Sequence, residues 1–261
     1  MKRIILICSI IISWLVFPKY YYGQNGGVGI DEQLGSYLPL DTKFETSNGD
    51  TVSLKQVIDR PVLFALVYYE CPGLCHPMLN NLSWAVDRIQ LEPGADFKVV
   101  TLSFDPRENP VVSAKWKKEY LRSFKREFSP NDWIFLTGDS ANIKKVTKAV
   151  GFDYIPSKDS EYVHPATVIA ISPDGKISRY LFGIDFNQFD LKMALIEAKA
   201  GKTNPTITKI LQLCYSYNPE GRSYELDVTR IVGVVMLVSV AVLGVTVMFK
   251  KKKQPRMNEG V

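Results

Sequence analysis

From Pro61 to Tyr69 the chain reads Pro-Val-Leu-Phe-Ala-Leu-Val-Tyr-Tyr, apolar throughout until Glu70. A run that does not alternate and is rich in β-forming residues predicts a strand buried on both faces. After a short turn, Leu79, Leu82, Val86 and Ile89 recur at steps of three and four, which marks one face of a helix over 78–91. Phe97 to Phe104 forms a second strand, and 110–128 a helix with its lysines on a solvent side. A short strand at Trp133–Leu136, a short helix over 141–150 closed by Gly151, and an irregular stretch over 152–163 follow. Thr167–Ile171 and Ile177–Phe182 flank Pro173-Asp174-Gly175 and predict an antiparallel hairpin. A last helix covers 187–200 and stops at Gly201. Ahead of all this, 38–57 alternates around Asn48-Gly49-Asp50, a hairpin pattern. The order predicts an α/β fold: a mixed sheet flanked by helices, with an N-terminal hairpin.

The two ends of the chain carry a different pattern. Lys2 and Arg3 precede an apolar stretch from Ile4 to Phe17, so residues 1–23 read as a signal peptide, with an uncleaved N-terminal anchor as the alternative. Residues 24–37 are glycine-rich at Gly26, Gly27 and Gly29 and read as a flexible lead-in. The domain is expected over 38–205 and a juxtamembrane linker over 206–230. The 19 residues of 231–249 carry no charge and are long enough to span a bilayer. Lys250 to Lys253 follow and head a cytoplasmic tail over 250–261, which puts the domain on the extracytoplasmic side. Over 261 residues, the net charge of +5 is small and partly concentrated in that lysine run. No broad basic surface argues for a nucleic-acid partner.

The chemistry gathers where the buried strand ends. Glu70-Cys71-Pro72-Gly73-Leu74-Cys75-His76-Pro77-Met78 joins that strand to the helix. Proline is best tolerated as the first helical residue, which places Pro77 there and both cysteines in the turn before it. The unpaired N–H groups of a helix start favour a thiolate over a thiol, giving a better nucleophile and a better metal ligand. Exported cysteines meet an oxidising compartment, so the pair forms a disulfide unless a reductant or a metal intervenes. The chain holds two histidines. His164 precedes Pro165 on an extended approach to the strand at 167–171. If that strand lies beside 61–69, His164 reaches the two sulfurs; otherwise it is an ordinary core or surface histidine. Two thiolates and one imidazole suit copper(I), and copper(II) with an added ligand. A closed zinc site needs a fourth donor, for which Glu70 and His76 are the candidates. Met78 reads as core rather than as a thioether ligand. Cys8 lies in the targeting segment, and Cys214 has no evident partner.

The strand, Cys-x-x-x-Cys, helix, a strand ending in Ser103-Phe104-Asp105-Pro106, the late histidine and the Ser172-Pro173-Asp174-Gly175-Lys176 hairpin together resemble the Sco (SCO1/SenC) proteins over about residues 38–200. That resemblance implies a thioredoxin-like fold and a copper chaperone that helps assemble the binuclear copper centre of a respiratory oxidase. It makes Cys71, Cys75 and His164 the copper ligands and places Asp105 behind them, tuning the site. The segment Leu213-Cys214-Tyr215-Ser216-Tyr217-Asn218-Pro219 ahead of the span resembles a bacterial branch of the family that carries a C-terminal membrane helix. His76 stands where many members have proline, and Pro165 is not the usual residue after the histidine. The implied partners are the copper-site subunit of the oxidase and the membrane. The second reading is a thiol–disulfide oxidoreductase in which Cys71 and Cys75 cycle and reduce the cysteines of the oxidase copper site. A peroxidase is disfavoured, since Phe64–Tyr69 offers no hydroxyl other than tyrosine.

Overall fold

The computed structural model describes residues 28–157 and 161–203, the backbone of 215–218 and 223–226, and positions 233, 236 and 239. The chain divides into two units after Thr203. The first carries a seven-stranded mixed sheet. In its interior lies β4 (Val62–Val67), third from one edge and buried at every position, as the unbroken apolar run requires. β4 runs parallel to β5 (Lys98–Ser103), and β5 parallel to β6 (Trp133–Thr137). On the other side of β4 lies β10 (Thr167–Ile171), antiparallel, and beyond it β11 (Ile177–Phe182). The hairpin of β2 (Lys43–Thr46) and β3 (Thr51–Ser53) adds to the far edge through β6. The expected strands and hairpins are all present.

The helices follow their sequence punctuation. After α1 (Leu54–Val57), α2 (Cys75–Arg88) buries Met78, Leu79, Leu82, Ala85 and Val86 and packs beside both α3 (Pro110–Leu121) and α5 (Gln188–Lys199). Asn109 caps α3 by accepting from the Val111 and Val112 N–H groups, with Pro110 first in the helix. Asp139 and Asn187 cap α4 (Ser140–Ala149) and α5 in the same way. Two helix ends are earlier than the periodicity predicts. α2 stops at Arg88 rather than at 91, because Ile89 turns extended. α3 stops at Leu121 rather than at 128, although Phe124 and Phe128 still pack on the core.

Two stretches expected to lack structure have it. The lead-in carries β1 (Gly29–Ile30), paired antiparallel with β7 (Phe152–Asp153). Gly151, at φ +60°, lets this approach happen, since a Cβ there would overlap the Asp31 carbonyl. The supposedly irregular 152–163 also holds a small hairpin of β8 (Ile155–Pro156) and β9 (Tyr162–Val163). The second unit contains a hairpin of β12 (Tyr215–Asn218) and β13 (Ser223–Leu226). Among the described residues no helix is long and apolar enough to cross a membrane. The signal peptide over 1–23, Cys8, Cys214, the tail over 250–261 and all of the span over 231–249 but positions 233, 236 and 239 lie outside the described residues.

Candidate metal centre

β4 delivers the cysteines. Beyond Val67 the chain stays buried through Tyr68 and Tyr69, then turns through exposed Glu70 to buried Cys71. The proline rule places the helix start at Pro77; the helix instead begins at Cys75, with Pro77 third. Proline is still at home there, because the first-turn N–H groups have no acceptor within the helix. The first full helical bond runs from the Met78 N–H to the Leu74 carbonyl. Cys71 therefore lies in the turn, and Cys75 on the helix it faces.

β10 delivers the histidine. In the antiparallel register Val168 opposes Ala65 and Ile171 opposes Val62. The start of β10 thus lies at the end of β4, and the residues just before Thr167 come level with the turn that carries the sulfurs. This is why a side chain 89 positions after Cys75 places its Nε2 3.4 Å from the Cys75 Sγ. The ligand atoms of Cys71, Cys75 and His164 all lie within 4.8 Å of one another, with both cysteines buried and the histidine half-buried. Among the described residues this is the one such group of three.

The surroundings fix the state of each donor. His164 Nδ1 lies 3.0 Å from the Pro165 carbonyl oxygen. A carbonyl can only accept, so Nδ1 carries the proton and the Nε2 lone pair faces the sulfurs. The ring is held among Phe104, Tyr68 and Phe152, at centroid distances of 5.1, 5.7 and 6.2 Å. The His164–Pro165 peptide is trans. Cys71 titrates well below the ordinary thiol range. A hydrogen bond from the Cys75 thiol is the largest cause, opposed by burial and assisted by the Cys75 N–H and the Tyr68 hydroxyl. The Gly73 N–H also donates to this sulfur, at 3.3 Å. Cys75 shifts the other way, first through burial and then through the Cys71 thiolate beside it. Both cysteines are free thiols.

The remaining candidates fall around this group. Asp105 is buried and accepts from the Arg107 N–H and Nε at 2.9 and 2.8 Å and from the Tyr162 hydroxyl at 3.4 Å. Burial would raise its pKa, but the bonds from Arg107 and Tyr162 hold it below the usual carboxylate value. The Tyr162 ring in turn stands edge-on to Tyr68 at 5.4 Å. His76 turns away from the sulfurs: Nδ1 meets the Tyr120 hydroxyl at 2.5 Å, and the ring lies 3.9 Å from Trp116. Burial holds its pKa down. Met78 is buried core.

Two residues here escape a reading by sequence. Tyr68 looks like one more apolar strand position, yet burial first and the neighbouring Cys71 next push its hydroxyl pKa up. Glu108 looks like a solvated charge in a turn, yet it is 8% exposed. Its carboxylate accepts from the backbone N–H groups of Tyr69 and Glu70, each at 2.8 Å, and from the Ser103 hydroxyl at 2.5 Å. Only the proximity of Asn109-Pro110, a helix start that turns the chain back over the sheet, hints that Glu108 points inward.

Comparison with known proteins gives a consistent result. The SCO1/SenC family profile matches residues 37–194. The SCO1 protein homolog of Bacillus subtilis (strain 168) is 24% identical over 169 residues, which cover 63% of this chain and 83% of that protein. A solved structure from Aquifex aeolicus VF5 aligns with a TM-score of 0.59 at 26% identity, over 64% of this chain and 95% of that one. Copper-bound ScoI of Arabidopsis thaliana aligns with a TM-score of 0.51 at 21% identity, over 63% and 97% of the two chains, a likeness of fold.

Proposed function

The chain belongs to the SCO1/SenC family, and on that premise we propose that it is a copper chaperone whose cargo is held by Cys71, Cys75 and His164. The observation that carries this reading is the convergence of two sulfurs and an imidazole nitrogen within 4.8 Å. The donor set is soft and three in number, which suits copper(I). Among the described residues the group offers three donors and no fourth for a closed zinc site, with Glu70 exposed and His76 engaged with Tyr120. A thiolate at Cys71 is ready to bind metal without first losing a proton at neutral pH. The proposed role is delivery by ligand exchange to the binuclear copper site of a respiratory oxidase. The proposed place is the extracytoplasmic side of the membrane, with export by residues 1–23 and anchorage by 231–249. An anchor of that kind confines the search for a membrane-bound client to two dimensions.

A second reading draws support from the same thiols. Cys71 is a stabilised thiolate and Cys75 a protonated thiol beside it, the pairing that attacks and resolves a mixed disulfide. The protein would then reduce the client's cysteines before copper arrives. His164→Ala separates the readings. Anaerobic titration of reduced protein is expected to give one copper per domain, with affinity falling sharply in the variant. Oxidase assembly that fails with His164→Ala as it fails with Cys71→Ser supports delivery. Assembly that survives His164→Ala but not loss of either cysteine makes thiol exchange the function.

A further inference from the structure

Cys71 sits in a turn exposed at Glu70 and again at Pro72, Gly73 and Leu74. Such a turn has little packing of its own to hold it. The two residues before Cys71 are nevertheless fixed from three directions. The Tyr69 ring is buried, and its hydroxyl donates to the Thr101 and Leu136 carbonyls at 3.1 and 2.9 Å. The Tyr69 N–H donates to one oxygen of Glu108 and the Glu70 N–H to the other, each at 2.8 Å. Ser103, the last residue of β5, donates its hydroxyl to that same carboxylate and accepts from the Asp105 N–H at 3.1 Å. β5 pairs with β4 up to Ser103 opposite Val67, so this clamp continues the sheet past the point where its ladder ends.

We propose that Glu108 is a positioning residue for the metal centre: its buried carboxylate substitutes for a missing strand neighbour and fixes the Cys71 sulfur relative to Cys75 and His164. A carboxylate is required because both peptide groups are donors. A glutamine can turn its oxygen to one of them, but then presents an N–H₂ to the other or leaves that N–H unmet. Charge-assisted bonds to buried backbone groups are among the stronger ones available. Their loss releases the backbone immediately ahead of Cys71 while leaving all three donor side chains in place.

The inference rests on the copper reading for its main readout, so the test carries a second readout that does not. The variant is Glu108→Gln in the full chain. Copper(I) affinity, measured by chelator competition, is expected to fall about 10- to 100-fold, the usual effect of removing a group that orients a ligand. The sulfur-to-copper charge-transfer band of the copper(II) form is expected to shift. In metal-free protein the Cys71–Cys75 disulfide, equilibrated against glutathione, is expected to become about tenfold less favoured as the two sulfurs lose their fixed separation. Asn109→Ala is the control: it removes the cap of α3 next door, lowering the melting temperature while leaving band and disulfide equilibrium unchanged. Ser103→Ala keeps both backbone bonds and is expected to give a smaller change of the same sign, which keeps the test decisive should Glu108→Gln fail to fold. Unchanged affinity, band and disulfide equilibrium in a folded Glu108→Gln protein overturn the proposal. A wild type that binds no copper overturns the copper reading instead, and the disulfide equilibrium still decides for Glu108.

Discussion

Cys71 and Cys75 are the same side chain four positions apart, but their surroundings make them opposites. Cys71 collects donors: the Cys75 thiol, two backbone N–H groups and the Tyr68 hydroxyl. Cys75 is more deeply enclosed and lies beside the charge on its neighbour. Each donor favours the anion at Cys71, so its pKa moves down and the thiolate persists at neutral pH, disappearing only as the solution turns strongly acidic. Alkylation of the reduced, metal-free protein is therefore expected to modify Cys71 first, at a rate nearly flat from about pH 6 to 8, where an ordinary thiol gains about tenfold per pH unit. A rate that climbs with pH across this window contradicts the thiolate assignment. Tyr68→Phe removes one donor, so the Cys71 pKa is expected to rise and the loss of alkylation on acidification, below the flat window, to begin at a higher pH. Sequence made the cysteines and the histidine legible because Cys71 and Cys75 flank a Pro-Gly turn between an apolar run and a helix, and His164 precedes a proline at the approach to a strand. It left Tyr68 and Glu108 hidden, because a tyrosine in an apolar run and a glutamate in a turn look ordinary until the fold shows what they face.

At the scale of elements, the apolar run of β4 was readable from pattern alone, since burial on both faces imposes a strict residue preference. The neighbour of β4 was not readable. Nothing local says that β10 pairs with it antiparallel, and that pairing alone carries His164 to the sulfurs. The short pieces β1, β7, β8 and β9 have two residues each, too few for a periodicity to show. They still matter, because Phe152 of β7 backs the His164 ring. Gly151→Ala tests this support. A left-handed φ costs a non-glycine residue about 1–2 kcal/mol, before any overlap with the Asp31 carbonyl. Denaturant unfolding is expected to show a loss of at least that size, with β1 peeled from β7 and made accessible to protease. Unchanged stability and protease resistance mean that β1 does not lie against Gly151.

For the whole molecule, the three donors join the turn after β4, the start of α2 and the approach to β10, so a bound ion ties together segments that the sheet alone aligns. A ligand that binds only the folded state stabilises it in proportion to its occupancy. At a free concentration one hundred times its dissociation constant this amounts to about 2.7 kcal/mol. For a domain of this size that is an increase of about 5–11 °C in melting temperature. Calorimetry of reduced protein with and without copper(I) is expected to show this rise, a chelator to reverse it, and His164→Ala to remove most of it. A rise of equal size in His164→Ala would place the ion elsewhere. The proposed anchor at 231–249 has its own test. Fractionation of cells is expected to find the chain in membranes, with protease added outside the cytoplasmic membrane removing the copper-binding domain.

The most direct test of the central claim is X-ray absorption spectroscopy of the copper(I)-loaded, reduced protein. Cys71, Cys75 and His164 acting together predict a three-coordinate ion with two sulfur scatterers and one imidazole nitrogen, the nitrogen shell vanishing in His164→Ala. A two-coordinate, all-sulfur ion whose spectrum does not change in that variant would contradict the account.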